Sequence, residues 1–187
     1  MRDLISITPF LSCYPPDTEP LSADVFVIRG ESGLYLFDTG CGERTRAFLD
    51  SLPRPRAVIL SHFHADHAGN ADLPADELIV SGHTRQRLGI GATLQSERVI
   101  EDGVSIRIRR CPSVHEKGCL VVSLNGYCTL MGDLWHPRLP LNRSVAIEML
   151  NELRAIDTPY FIGSHESGRM YTKEQVLDRV QAMIRNN

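Results

Sequence analysis

A short apolar run that ends in a cluster of histidines restricts the folding of this chain more than any other feature. Residues 57–60 read Ala-Val-Ile-Leu, and the breakers Pro53 and Pro55 stand just before them. An apolar run bounded by breakers predicts a buried strand, and polar residues after such a strand lie on a loop held by a rigid scaffold. Residues 61–67, Ser-His-Phe-His-Ala-Asp-His, therefore place three imidazoles and one carboxylate on one loop.

This loop has the composition of a metal site. Neutral imidazole nitrogens and carboxylate oxygens are the ligands that a borderline-soft ion such as Zn²⁺ takes. The candidate ligands on the loop are His62, His64, Asp66 and His67. The alternative to a metal site is that these histidines are hydrogen-bonded residues at the surface. That interpretation suits a single histidine better than a cluster of this density.

Further ligands are expected downstream, because so tight a loop cannot surround one ion with four side chains. Three predicted strands lead to such residues: His115 follows residues 104–109, Asp133 ends 127–133, and His165 ends 160–165. Ligands of open α/β sheets bind beyond the carboxyl ends of the strands, so these side chains can converge with the histidine loop. His83 and His136 fit this pattern less well. For His83, a helix-capping or surface role is as good an interpretation as a role in the site. For His136, simple surface exposure is an equally good interpretation.

The rest of the chain alternates predicted strands with predicted helices. Further strands are predicted at residues 4–7, 24–28 and 34–38, and helices at residues 43–51, 84–88, 144–156 and 173–185. Asn142 and Ser144 are both candidates for the N-cap of the third helix. With 187 residues and no linker or low-complexity tract, the chain is expected to form one domain, residues 1–187, of the α/β class.

Charge and cysteine usage narrow the expected partners and compartment. The net charge is −3 with both signs interspersed, which predicts no nucleic-acid partner. The chain has one local basic cluster, Arg107, Arg109 and Arg110. Arg107 and Arg109 alternate with isoleucines, and this alternation indicates that the two arginines lie on the solvated face of a half-buried strand. Contact with nucleic acid is the alternative role for the cluster. Five cysteines without a C-x-x-C pair favour a reducing compartment and free, mostly buried thiols. Without a signal-peptide core or a membrane-spanning run, the sequence predicts a cytoplasmic location and no membrane contact.

The order of the candidate ligands resembles that of the metallo-β-lactamase superfamily of metallohydrolases. The residues that carry this resemblance are His62, His64, Asp66, His67, His115, Asp133 and His165. The Phe-Asp-Thr-Gly turn at residues 37–40 also resembles the turn that precedes the histidine motif in that family. The resemblance implies an αββα sandwich, in which two mixed sheets lie between helix layers. Within the superfamily, the chain resembles a minimal, single-domain form of the glyoxalase II and lactonase-like branch.

The same resemblance implies a role for each residue. The first metal would be held by His62, His64 and His115, the second by Asp66, His67 and His165, with Asp133 bridging both. Two zinc ions are implied, with iron or manganese as alternatives. Asp66 would also act as the catalytic base, and Asp38 would hold a ligand histidine through its second ring nitrogen. Trp135 and His136 are candidate substrate contacts, with simple packing as the alternative for Trp135.

The implied function is a metal-dependent hydrolase that uses a hydroxide held by two metals to cleave a small ester, thioester or lactone. Superfamily β-lactamases lack an aspartate at the position of Asp133, which argues against antibiotic hydrolysis. The alternatives are a small phosphodiesterase, a mononuclear-iron oxidoreductase resembling the persulfide dioxygenases, and a protein that binds metal or a partner without catalysis. A small-molecule substrate is the expected partner, and the oligomeric state is left open.

Overall fold

Two β-sheets form the centre of the molecule in this computed structural model, which describes residues 3–186. A small hairpin of β3 (Asp17–Thr18) and β4 (Leu21–Ser22) stands apart from both sheets. The first sheet has the spatial order β1 (Ile5–Thr8), β2 (Leu11–Tyr14), β5 (Val25–Arg29), β6 (Leu34–Phe37), β7 (Ala57–Ile59), β8 (Leu78–Val80), β9 (Ala92–Thr93). Pairing is antiparallel from β1 to β6 and parallel from β6 to β9. The carboxyl ends of β6, β7 and β8 therefore lie at one edge.

The second sheet contains the later strands of the chain. Its spatial order is β10 (Arg98–Glu101), β11 (Ser105–Cys111), β12 (Cys119–Leu124), β13 (Cys128–Met131), β14 (Tyr160–Ile162), β15 (Met170–Thr172). Only β13 and β14 pair in parallel; all other neighbours in this sheet are antiparallel. Because β13 and β14 run in the same direction, the segments that follow them leave the sheet at the same edge.

The main core lies between the two sheets. The first sheet contributes side chains such as Phe26, Phe37 and Ile59, and the second contributes Ile106 and Val122, all buried in one cluster. Strand β11 shows why these residues form a sheet: its isoleucines point inward while the intervening arginines face outward. This alternation confirms the interpretation of Arg107 and Arg109 as the outer face of a half-buried strand.

Helices cover the outer faces of both sheets. They are α1 (Gly42–Asp50), α2 (Ala65–Ala68), α3 (Gly82–Leu88), α4 (Arg143–Ala155) and α5 (Lys173–Asn186). Phe48 of α1 stacks on Tyr14 of the first sheet with ring centroids 4.0 Å apart. Met149 of α4 and Val180 of α5 bury against Phe161 of the second sheet. The layers are thus helix, sheet, sheet and helix, as the resemblance implied.

The four predicted helices agree with the observed ones to within two residues at each end. Of the two candidate caps, Asn142 caps α4: its side chain accepts a hydrogen bond from the amide of Val145 at 3.2 Å. Several strands, among them β2 and β12, were not predicted. Strand β2 is only four residues long and adjoins Pro15 and Pro16, which hid it. Strand β12 is buried at every position, so it lacks the alternation that marks a half-exposed strand.

The described residues also bear on the expectations for cysteines and membranes. All five cysteines are free thiols, and all but Cys41 are buried, as the sequence predicted. Cys111 packs in the cluster beneath α4 and α5, which agrees with a packing role. Among residues 3–186, no helix is long and apolar enough to cross a bilayer.

Candidate metal centre

The candidate ligands converge at one edge of the sandwich, although they follow strands of both sheets. Strand β7 leads into the histidine loop, β13 leads into Asp133, and β14 leads into His165. Gly132 allows the two sheets to approach here, because a Cβ at this position would lie 2.5 Å from the Oγ of Ser61. The predicted meeting of strand ends is therefore present, and a glycine makes the close approach possible.

Three imidazoles form the first group. Nδ1 of His64 lies 3.0 Å from Nε2 of His62 and 3.0 Å from Nε2 of His115. The three nitrogen atoms lie within 4.8 Å of one another, with His62 buried and the other two half-buried. Three nitrogens that point at a common centre are the ligand set of many zinc sites. These are the residues that the resemblance assigned to the first metal.

Two imidazoles and two carboxylates form the second group. Oδ2 of Asp66 lies 3.1 Å from Nε2 of His165 and 3.6 Å from Nε2 of His67. Oδ2 of Asp133 lies 3.3 Å from Nε2 of His67 and 3.8 Å from Nε2 of His165. One atom from each of the four residues lies within 4.8 Å of the others. The second predicted ligand set is thus assembled, including the aspartate expected to bridge.

Asp133 links the two groups. The same Oδ2 atom that approaches the second group lies 3.7 Å from Nε2 of His115 in the first. Its other oxygen, Oδ1, faces Nδ1 of His136 at 3.5 Å. One carboxylate oxygen within reach of both histidine groups is the arrangement that a bridging ligand requires.

A buried carboxylate beneath the site orients two of the histidines. Oδ2 of Asp38 lies 2.7 Å from Nδ1 of His67 and also accepts a hydrogen bond from the hydroxyl of Ser61 at 2.8 Å. The Ser61 oxygen in turn lies 3.0 Å from Nδ1 of His62, where it can accept a hydrogen bond. Asp38 was predicted to hold one ligand histidine in this manner. Ser61 was missed, since a serine beside a histidine motif carries no signal of its own.

The remaining histidines of the first group have partners at the mouth of the site. Nδ1 of His115 lies 2.9 Å from the carbonyl oxygen of His136 and can donate a hydrogen bond to it. Nε2 of His64 lies 3.5 Å from Oε2 of Glu116, which pairs with the guanidinium of Arg138 at 2.9 Å. The contacts at Glu116 and Arg138 were not predicted, because both residues lie in loops whose course no sequence pattern fixes.

The electrostatics leave His62 of the first group neutral and the carboxylates of the second charged. Burial, assisted by the His67 imidazole, lowers the pKa of His62 to about 2. Burial alone would lower the pKa of His67, but the carboxylates of Asp38 and Asp133 raise it to about 10. Burial opposes ionisation of Asp133, yet the nearby imidazoles of His136 and His67 hold the pKa of that carboxyl well below its usual range.

The residues present fit divalent cations. Nε2 of His67 is fully buried and has no hydrogen-bond partner within residues 3–186, although it lies 3.3 Å from a carboxylate oxygen. A buried polar nitrogen left without a partner is costly, and a bound cation would satisfy it. The side chains of His64, Asp66 and His165 are each about one-fifth exposed, so the centre opens to solvent. Two cations held through Asp133 would match this donor set.

The other candidate site residues lie in different surroundings. Trp135 is only 2 % exposed and packs against Tyr171 and the guanidinium of Arg179, which agrees with the packing alternative. The side chain of His136 is 43 % exposed at the mouth of the site, where a substrate can reach it. His83 belongs to neither ligand group, although its Nε2 lies 3.8 Å from a carboxylate oxygen of Glu116.

Comparisons with known proteins agree with this architecture. Residues 18–89 match the family model described as the metallo-beta-lactamase superfamily. A metallo-beta-lactamase from Pontibacter korlensis superposes with a TM-score of 0.74 at 14 % sequence identity, over 99 % of both chains. No curated protein sequence matches this chain significantly.

Proteins with other activities share the fold. The sec-alkylsulfatase Pisa1 from Pseudomonas sp. superposes with a TM-score of 0.71 at 15 % identity, over 95 % of this chain and 40 % of its own. A point mutant of a flavo di-iron protein from Thermotoga maritima gives a TM-score of 0.69 at 14 % identity, over 88 % and 53 % of the two chains. At these identities the likeness establishes the fold and leaves the reaction open. The chain is thus a metallo-β-lactamase-fold protein, and the superfamily that its ligand motif resembled is the one whose model matches residues 18–89.

Proposed function

We propose that this chain is a dinuclear metal-dependent hydrolase that cleaves a small ester, thioester or lactone. The placement of Asp133 supports this most directly, because its Oδ2 atom lies within 4 Å of His115 in one ligand group and of both histidines in the other. Zinc is the metal that best suits a set of five imidazoles and two carboxylates, although iron and manganese accept the same ligands. In this proposal the protein acts in the cytoplasm on a small molecule, without nucleic acid or membrane.

The chemistry of such a centre is that of hydrolysis. When bound, the metals would supply Lewis acidity and hydroxide at neutral pH, since zinc lowers the pKa of a bound water to about 7. Asp66 has a partly exposed carboxylate at the mouth of the centre, where it can orient the attacking water and accept its proton. Hydrogen bonds from neighbouring groups hold the pKa of Asp66 below its usual range against the effect of burial, so the carboxylate is ionised and able to act as a base.

His136 is the residue proposed to contact the substrate. It lies three positions after Asp133, and its imidazole is both exposed and directed at a ligand carboxylate. The proposal does not extend the same role to Trp135, whose indole is enclosed between α5 and the loop at Gly163; a Cβ on that glycine would lie 2.8 Å from the ring. Substrate selection therefore depends on the loops around the mouth rather than on a buried aromatic pocket.

Hydrolysis of a substrate panel tests this function. We would strip the purified protein with a chelator, restore Zn²⁺ or Mn²⁺, and assay thioesters, lactones, simple esters and bis-aryl phosphodiesters. The expected result is turnover of an acyl substrate that stops on chelation and returns with metal. Asp66→Asn should abolish turnover, whereas the matched control Asp72→Asn, which only removes an exposed partner of Arg46, should keep it. Full-rate turnover by metal-free protein would contradict the mechanism.

The alternatives give different outcomes in the same experiment. Turnover of phosphodiesters alone would identify a phosphodiesterase, because the same nucleophile attacks phosphorus or carbonyl carbon. One iron per chain, with oxygen consumed in the presence of a persulfide, would identify an oxidoreductase. Tight metal binding without turnover of any substrate class would favour a binding protein.

A further inference from the structure

A second buried carboxylate, Asp24, lies beneath the centre and has no part in either ligand group. Its side chain is fully buried, immediately before β5. Oδ2 accepts a hydrogen bond from the backbone amide of Glu166 at 3.0 Å, and Oδ1 accepts one from the thiol of Cys13 at 3.1 Å. Burial raises the pKa of Cys13 far above its usual range, so the thiol keeps its proton and remains a donor. Burying a carboxylate costs free energy unless its oxygens accept hydrogen bonds. One of the hydrogen bonds to Asp24 comes from the loop after β14, 142 positions later in the sequence.

The loop that Asp24 holds carries a ligand. His165 precedes the hydrogen-bonded amide of Glu166 by one residue, and it has a positive φ of 65°, as does Ser167 with 53°. Left-handed conformations are unfavourable for residues with a side chain and persist only where the surroundings enforce them. Gly168 packs so closely on the first sheet that a Cβ there would lie 2.7 Å from Ile7 and 3.1 Å from Cys13. The loop is therefore fixed in a strained shape against the strand that bears Cys13.

His165 also differs from the other ligand histidines in its hydrogen bonding. The second ring nitrogens of His62, His67 and His115 each lie within 3.0 Å of an oxygen that can accept a proton. Nδ1 of His165 is buried and has no hydrogen-bond partner in the part of the chain that the structure describes. The orientation of this ring must therefore come from the backbone of its loop, and Asp24 is the carboxylate bonded to that backbone.

We infer that Asp24 is a positioning residue for the second metal: it holds the loop of His165 in place through the Glu166 amide. This inference rests on the proposed dinuclear centre but adds a residue outside it. Asp24 and Asp38 would then act as a pair, since Asp38 fixes the ring of His67 directly and Asp24 fixes His165 through its backbone. The inference predicts that loss of Asp24 weakens the second site selectively and leaves the three-histidine site intact.

Metal titration of variants tests the inference. We would titrate Zn²⁺ into metal-free wild-type protein, Asp24→Ala and Asp24→Asn, and follow each site by the imidazole ¹⁵N shifts of His115 and His165. Removing a partner behind a metal ligand typically weakens metal affinity by about 10–100-fold. We expect a loss of that size at the His165 site in Asp24→Ala, a smaller loss in Asp24→Asn, which keeps one acceptor for the amide, and unchanged binding at the His115 site.

A second readout does not need metal. Hydrogen exchange of the Glu166 amide in metal-free protein should accelerate in Asp24→Ala while amides of the core strands stay protected. Asp102→Asn is the matched control, because Asp102 also holds a loop by accepting hydrogen bonds from Ser32, yet that loop bears no ligand. Cys13→Ala removes the other hydrogen-bond partner of Asp24. In this variant the affinity of each metal site should stay within about threefold of the wild-type value, which is a much smaller change than the loss that typically follows when a residue behind a metal ligand is removed.

The outcomes separate this inference from the proposed function. If wild-type protein binds two metals and the Asp24 variants bind both with wild-type affinity, the inference is wrong and the proposed function stands. Equal weakening of both sites, in a variant that remains folded by circular dichroism, would also overturn it, because that result indicates a general structural role. If wild-type protein binds fewer than two metals, the dinuclear function fails first and the inference fails with it.

Discussion

At the residue scale, hydrogen bonds to the second ring nitrogen orient three histidines of the candidate centre, namely His62, His67 and His115. Asp38 and Ser61 face the inner nitrogens of His67 and His62, so the opposite nitrogens point towards the metal position. Such partners select the tautomer and hold the ring, which raises metal affinity. The candidate centre is thus held in place from below, while the side chains of His64, Asp66 and His165 stay partly exposed.

The bridging position gives the first prediction. Asp133→Asn replaces the charged oxygen that faces His115, His67 and His165 with a neutral amide. We expect the second metal to be lost before the first, because the three-histidine group does not depend on this carboxylate, and turnover to fall with it. Metal analysis during stepwise dialysis against chelator measures the order. His64→Ala should instead lose the first metal.

His83 provides the control for these substitutions. Its imidazole belongs to neither ligand group. His83→Ala should therefore keep both metals at wild-type affinity. Metal loss in this variant would show that the ligand set has been assigned wrongly.

Protonation of His67 gives a prediction about pH. The pKa of His67 is raised to about 10, so at neutral pH its imidazole carries a proton where a metal ligand must be neutral. Binding of the second metal must displace that proton, so about one proton should be released per chain and the affinity should rise about tenfold per pH unit between about pH 7 and 9. Calorimetry in buffers of different ionisation enthalpy measures the release. A titration without proton release would contradict the assignment of His67.

The same pKa affects the metal-free protein. Because the pKa is higher in the folded chain than its ordinary 6.5, the charged form of His67 stabilises the fold below about pH 6.5, and that contribution disappears as the pH rises through 10. His62 has the opposite sign, since its lowered pKa means that stability is lost as the pH falls below 6.5. Metal-free protein is therefore expected to lose stability on both sides of neutrality, which urea denaturation across a pH series measures.

The convergence of the candidate ligands could be predicted from sequence, whereas the residues that support them could not. Metal ligands are few in type and cluster at strand ends, so His62, His115 and Asp133 are visible in one chain. Supports such as Ser61, Glu116 and Asp24 act through a few hydrogen bonds or ion pairs each, and common polar residues at such positions resemble any surface residue. Asp38 was the exception, because its Asp-x-Gly turn resembles the turn that precedes the histidine motif in the metallo-β-lactamase superfamily.

At the element scale, the N-terminus of α4 gives a direct test of helix capping. The sequence left Asn142 and Ser144 as alternatives, and the structure assigns the cap to Asn142, whose Oδ1 accepts a hydrogen bond from the Val145 amide. Asn142→Ala should lower the free energy of unfolding by about 0.5–2 kcal/mol. Ser144→Ala, in the first turn, should change it much less. Urea denaturation of both variants measures the two changes in the free energy of unfolding. A larger loss of stability for Ser144→Ala than for Asn142→Ala would refute the assignment.

Strand prediction succeeded for the alternating strand β11 and for the apolar run of β7, and it missed strands of both burial kinds, such as the half-exposed β10 and the buried β12. Strand β11 alternates isoleucine with arginine, so its period is visible in the sequence. Strand β12 is buried on both faces and β2 is very short, so neither presents a period of two. Pairing of these strands in the sandwich depends on contacts between distant segments, which a single sequence does not encode locally.

At the scale of the whole molecule, the candidate metal ligands come from both sheets. The histidine loop and Asp66 come from the first sheet, whereas His115, Asp133 and His165 come from the second. Metal binding should therefore stabilise the packing of one sheet on the other. At a free metal concentration of about 100 times the Kd, each site adds about 2.7 kcal/mol to the free energy of unfolding.

Chelation tests this coupling. Removing metal should lower the thermal midpoint measured by calorimetry, and restoring metal should recover it. A single heat-capacity peak in both forms is expected, because the sheets share one continuous core. An unchanged midpoint after complete chelation would indicate that metals do not join the sheets and would count against the hydrolase.

Metal content per chain tests the central claim most directly. Elemental analysis of untagged protein, purified without chelator or added metal, should give two divalent ions per chain, with zinc as the expected element. That result would agree with two ligand groups joined through Asp133. One iron per chain would contradict the dinuclear hydrolase and indicate an oxidoreductase, and protein that neither contains nor takes up metal would contradict the account as a whole.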